Sequence, residues 1–162
     1  MCIRDSEYPI EKLAANKSLT QLKSLTILPH ADDGDGPFVS LESFKTFCKA
    51  THFSNLESLK FHCTEFGNEG VSALVAAPFW PQVKRIDLSN GTIQESGALH
   101  LAQQDLKHLQ NLTLDGNYIS DSAGNTLSEK CVQDNCLFKW AHQFGEEIDT
   151  DDREHLWQGC ME

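Results

Sequence analysis

The sequence contains no run of about 18 apolar residues, so no segment reads as a transmembrane helix. Its first six residues, Met1 through Ser6, are polar and lack the apolar core of a secretory signal. Basic residues are scarce: 13 Lys and Arg stand against 24 Asp and Glu, for a net charge of −11. That balance argues against a nucleic-acid backbone or an anionic membrane as partner, since both require basic patches. Catalytic signatures are also missing. No G-x-S-x-G elbow, Walker loop, G-x-G-x-x-G or H-E-x-x-H occurs. Cys63 follows His62 directly, but neighbours on a strand face opposite ways and cannot form a Cys–His pair. Six cysteines, at 2, 48, 63, 131, 136 and 160, show no regular disulfide spacing. Without an export signal, reduced thiols in a cytoplasm are expected.

What the sequence does have is repetition. Residues 109–127 read L-Q-N-L-T-L-D-G-N-Y-I-S-D-S-A-G-N-T-L. Leu112, Thr113 and Leu114 alternate as a half-buried strand does, and Asp115, Gly116 and Asn117 break that strand with turn chemistry. Ile119 turns inward again, and Asp121 or Ser122 is placed to cap a helix carrying Ala123 and Leu127. Such a unit cannot bury its apolar face alone and needs neighbours of its own kind. Looser copies begin at Val83 (Ile86, Leu88, Ile93, Gly97), Leu56 (Leu59, Phe61, Phe66, Gly70) and Leu22 (Leu25, Ile27). The spacings are 26 residues from Val83 to Leu109, 27 from Leu56 to Val83, and 34 from Leu22 to Leu56. A period near 27 with one enlarged copy predicts a solenoid carrying one loop insertion.

By this period and its L-x-x-L-x-L core, the chain resembles the leucine-rich repeat family, in the long-repeat, ribonuclease-inhibitor-like class. A similar D-L-S-x-G-T segment occurs in short bacterial leucine-rich-repeat proteins of unassigned function. The resemblance covers roughly residues 10–130. It implies an α/β horseshoe arc of about four repeats plus a closing strand, with parallel strands on the concave face and helices on the convex face. One departure stands out: Gly91 occupies the position that Asn117 holds in the next copy, so the turn ladder there should be imperfect.

Taken in order, residues 1–7 read as non-native or disordered, resembling a translated sequencing adapter. The native chain is then expected to start further upstream, leaving this one a fragment. Residues 8–130 form the repeat solenoid, opening with the last turns of a helix over 8–16. Strand units follow over 19–28, 56–63, 85–89 and 111–115, and helices over 40–47, 69–77, 95–104 and 121–131, with Ser40 as an N-cap. Residues 30–38, H-A-D-D-G-D-G-P-F, form the inserted loop. One further period beyond Leu109 lands at Cys136, so residues 136–140 should form a closing strand within a capping segment over 131–162. That segment holds eight acids against two bases and should be a charged, partly mobile tail.

Chemistry is expected on the strand face turned away from the core. Alternation places Lys60, His62, Arg85, Asp87, Ser89, Asn111, Thr113 and Asp115 there. Strand spacing then sets Lys60 beside Asp87, with His62 and Asp115 flanking Ser89. As single pairs these are ordinary solvated contacts worth under about 1 kcal/mol. As a face, Arg with flanking polar groups suits an interface. The expectation is a non-enzymatic, monomeric, cytoplasmic module that needs no cofactor and binds a protein partner through its concave face. Two alternatives are a structural fragment of a larger protein and a metal-binding accessory module. The metal reading would use the Asp-rich stretch over 31–42 or the C-terminal set Cys131, Cys136, His142, His155 and Cys160. Against an EF-hand, setting Gly36 at loop position 6 puts Ala31 where the first carboxylate is required. The C-terminal set also lacks ligands two to four residues apart.

Overall fold

Alternation decides the strands. In β2 (Ser58–Phe61), Leu59 and Phe61 are buried while Ser58 and Lys60 are half-exposed. In β3 (Arg85–Asp87) and β4 (Asn111–Thr113) only the central Ile86 and Leu112 are buried. With β1 (Ser24–Ile27) and β5 (Leu137–Lys139) they form one five-stranded, all-parallel sheet in the order β1-β2-β3-β4-β5. The register is one-to-one, so Leu25, Leu59, Ile86, Leu112 and Phe138 make a continuous column across it. The computed structural model describes residues 8–28, 39–62 and 64–145. The adapter-like stretch, the insertion over 30–38, Cys63 and the acidic tail from residue 146 lie outside the described residues.

Among the described residues five α-helices accompany the strands: α1 (Ile10–Ala15), α2 (Leu41–Cys48), α3 (Gly67–Val75), α4 (Glu95–Ala102) and α5 (Asp121–Gln133). Each packs against the next in sequence, and α5 also meets β5. This gives an α/β fold in which, among the described residues, each strand-to-strand crossover contains one α-helix, and the β2–β3 crossover adds a short helical turn at Trp80–Gln82. Ser40 caps α2 as expected, its Oγ accepting from Ser43 N at 3.2 Å. The cap of α5 is Ser120 rather than Asp121 or Ser122; its Oγ accepts from Ala123 N at 3.3 Å. Strands are shorter than the alternation implied. The third ends at Asp87 and the fourth at Thr113, although main-chain bonds between the copies run on, Leu88 N donating to Thr113 O at 2.9 Å and Leu114 N to Lys139 O at 2.8 Å.

The core between sheet and helices is aliphatic toward the C-terminal half and aromatic around α2. Phe44 stacks on Phe66 with centroids 3.9 Å apart, Phe47 meets Phe53 at 5.0 Å, and Phe79 lies 5.4 Å from Phe47. Such pairs add about 0.5–1.5 kcal/mol each beyond their burial. All five rings belong to the buried core.

Side chains tie adjacent copies where the strands stop. Asn117 is fully buried; its Oδ1 accepts from Ile93 N at 3.0 Å and its Nδ2 donates to Leu88 O at 2.9 Å. One period later Gln143 does the same work, accepting from Ile119 N at 3.0 Å and donating to Leu114 O at 2.9 Å. Gly91 precedes Asn117 by one period, and a Cβ there would lie 2.8 Å from Asn117 Oδ1. The ladder is therefore thinned at Gly91 to make room for the Asn117 amide. Main-chain pairing continues there, with Gly91 N donating to Gly116 O at 3.1 Å. A second tie crosses from α3, where Asn68 Oδ1 accepts from Gln94 N and Gly97 N, each at 3.0 Å, and so caps α4 from the previous copy.

Candidate functional site

The sheet face turned away from the buried column carries two rows of side chains. Ser24, Ser58, Arg85, Asn111 and Leu137 lie side by side, and Thr26, Lys60, Asp87, Thr113 and Lys139 form the row above. Strand spacing of about 4.8 Å makes neighbours within each row direct contacts. Seven of the eight residues expected on this face are exposed or half-exposed. Ser89 is the exception at 6% exposure. Alternation no longer holds at Ser89 because β3 has already ended.

Asp87 organises the face. Its Oδ2 pairs with Lys60 Nζ at 3.0 Å and lies 3.2 Å from His62 Nε2, while its Oδ1 accepts from Ser89 Oγ at 2.5 Å and from Ser89 N at 3.2 Å. Lys60 therefore stands beside Asp87 as the register requires. His62 reaches the same carboxylate rather than flanking Ser89, and Asp115 turns away to accept from Ala141 N at 2.6 Å. Burial pushes the Asp87 carboxyl up, but the hydrogen bonds from His62, Ser89 and Lys60 outweigh it and hold the group well below the usual carboxylate range. It is thus a fixed anion near neutral pH.

The chemistry of this cluster is positional. An activated serine needs its hydroxyl to donate to a histidine that acts as base. Here the Ser89 hydroxyl donates to Asp87, and His62 sits on the other carboxylate oxygen. The cluster locks four side chains together and leaves Arg85 free beside it. Arg85 is exposed and makes no ion pair or side-chain hydrogen bond among the described residues. Lys139 belongs to this face by register and was legible only as Thr113 plus one period. Leu137, 68% exposed, puts an apolar group at the end of the Arg85 row.

The metal alternatives fall largely on residues outside those described. The Asp-rich loop lies mostly outside the described residues, as do His155 and Cys160. Among the described residues no three His, Cys, Asp or Glu side chains converge on one point. Cys131 and Cys136 do meet, but His142 is exposed and, among the described residues, no third ligand joins them. A groove of about 570 Å³ opens between α2 and α3, lined by Cys48, Glu69, Ala73 and Pro78. Its rim is closed by Lys45, which bridges Glu42 at 3.1 Å and Glu69 at 2.6 Å. Among the described residues no helix is long and apolar enough to cross a membrane. Set against family models and against curated proteins, the chain matches none.

Proposed function

We propose that this chain is a non-enzymatic recognition module of the leucine-rich-repeat type, binding a protein partner through its strand face. On this reading the parallel sheet lines the concave side of a horseshoe arc and the helices its convex side. The sequential strand order, the single column of apolar residues and the staple that recurs from Asn117 to Gln143 support it. One observation carries the functional part: an uncommitted Arg85 between Ser58 and Asn111, held next to a carboxylate that is already satisfied by three neighbours. A rigid, partly desolvated polar platform with one free guanidinium is the kind of surface on which an interface hot spot forms. The cluster around Asp87 lowers the entropic cost of binding because its side chains are immobilised beforehand.

The test is affinity capture by the full chain, compared with Arg85→Glu and with Glu129→Lys on the exposed side of α5. Arg85 is the right position to reverse, because Lys60→Glu would replace the cation paired with Asp87 by a second carboxylate and disturb the cluster. Loss of a captured protein with Arg85→Glu and its retention with Glu129→Lys is expected. Equal capture by all three proteins would remove the strand face as the site.

A further inference from the structure

Two buried thiols close the turn between α5 and β5. Cys131 lies in the last turn of the helix and Cys136 immediately before the strand, and both are buried. The turn ends the helix with Asn135 in the left-handed region at φ 58°, Asn135 N donating to Val132 O at 3.2 Å, and Cys136 N donating to Cys131 O at 2.8 Å. This helix-ending motif brings the side chains at those two positions into contact. That 2.8 Å bond, with ordinary bond lengths on either side, keeps the two Cα atoms within about 6.7 Å of each other. A disulfide spans Cα separations of roughly 4.4–6.8 Å. The residues around the turn, Val132, Gln133, Asn135 and Leu137, are exposed, and Cys136 keeps 6% of its own surface open.

We infer that Cys131 and Cys136 form a dithiol site that exchanges with low-molecular-weight disulfides of the glutathione class and closes to an internal disulfide without rearranging the sheet. The pair is asymmetric. The hydrogen bond from Cys131 holds the Cys136 thiol below its ordinary value, against burial and the nearby Asp134, whereas that same bond and burial push Cys131 up. Cys136 is also the more accessible of the two, 6% exposed against 0% for Cys131, and is the attacking thiolate. It displaces one glutathione thiolate and forms a mixed disulfide. The Cys131 sulfur, losing its proton to solvent, then attacks Cys136 Sγ and releases the second glutathione. Two protein thiols and one glutathione disulfide give one protein disulfide and two glutathione thiols, so atoms and electrons balance.

The sequence supplies a direct assay, because Lys130 and Lys139 bracket the pair and trypsin releases residues 131–139 as one peptide with both cysteines. The folded full chain is equilibrated with excess glutathione disulfide, quenched in acid, alkylated and digested. The doubly alkylated peptide should fall by about tenfold, replaced by the same peptide lacking two hydrogens. This readout needs no variant to fold. In Cys131→Ser the peptide should instead keep one glutathione on Cys136, which fixes the order of attack. A peptide that stays doubly alkylated, carries two separate glutathiones, or is joined to another cysteine-containing peptide overturns the inference.

Discussion

Replacing Asn117 with Ala tests the repeat architecture at its most concentrated point. The side chain is fully buried and serves two copies at once: it satisfies Ile93 N and Leu88 O of one strand-turn and Leu114 O at 3.1 Å of its own. Alanine removes both partners at a buried site, since Ile93 and Leu88 are themselves buried. Each orphaned backbone group costs about 1–3 kcal/mol. With Ile93 N–H and Leu88 C=O both stranded, the expected loss is about 2–6 kcal/mol. Asn117→Asp is the sharper comparison. It keeps an acceptor for Ile93 N but turns a carboxylate toward the carbonyls of Leu88 and Leu114, so it should cost at least as much as alanine near neutral pH and recover in acid. Urea unfolding, read as a shift in midpoint at constant slope, measures both. A loss under about 0.5 kcal/mol for Asn117→Ala would refute the claim that this amide joins the copies.

Other substitutions probe the turns and the face. Asp134 accepts from Leu106 N and from Lys130 Nζ, each at 2.8 Å, and these bonds hold its carboxyl below the ordinary range. Asp134→Ala should therefore cost about 1–3 kcal/mol, and Asp134→Asn should recover most of it because it still accepts from Leu106 N. Gly124→Ala would put a Cβ 2.0 Å from the Trp140 ring, so urea unfolding should show a loss of about 1–3 kcal/mol as that ring is displaced. Because Asp87 is depressed in the folded state, its contribution is full above the ordinary value of 3.8 and is lost as pH falls through the folded value. The stability gap between wild type and Asp87→Asn should accordingly narrow between about pH 5 and pH 2, and a constant gap would show that the carboxylate is not held by its neighbours.

Much of the fold was legible because each apolar position is dictated by one period. Leu59, Ile86 and Leu112 were placed by spacing alone and fall in one column, and the closing strand at Leu137–Lys139 followed from one more step of the same period. The ends of the elements were not legible. Ser89 looked solvent-facing because two-residue alternation was carried past Asp87, where the chain already bends to let Ser89 N and Oγ reach the carboxylate. Gln143 and Asn68 escaped attention because neither matches its counterpart in residue type; only position, one period from Asn117 for the first, marks the role. Gly91 read as a defect in the ladder, whereas its missing side chain is the space the Asn117 amide occupies.

The central claim is that the strand face around Arg85 and Asp87 is where recognition happens. Amide hydrogen exchange of the chain with and without a captured partner tests it most directly. The account predicts slowed exchange in β2, β3 and β4, at residues 58–61, 85–87 and 111–113, with the amides of α3, α4 and α5 unchanged. Protection confined to the helices, with the strands unaltered, would contradict it.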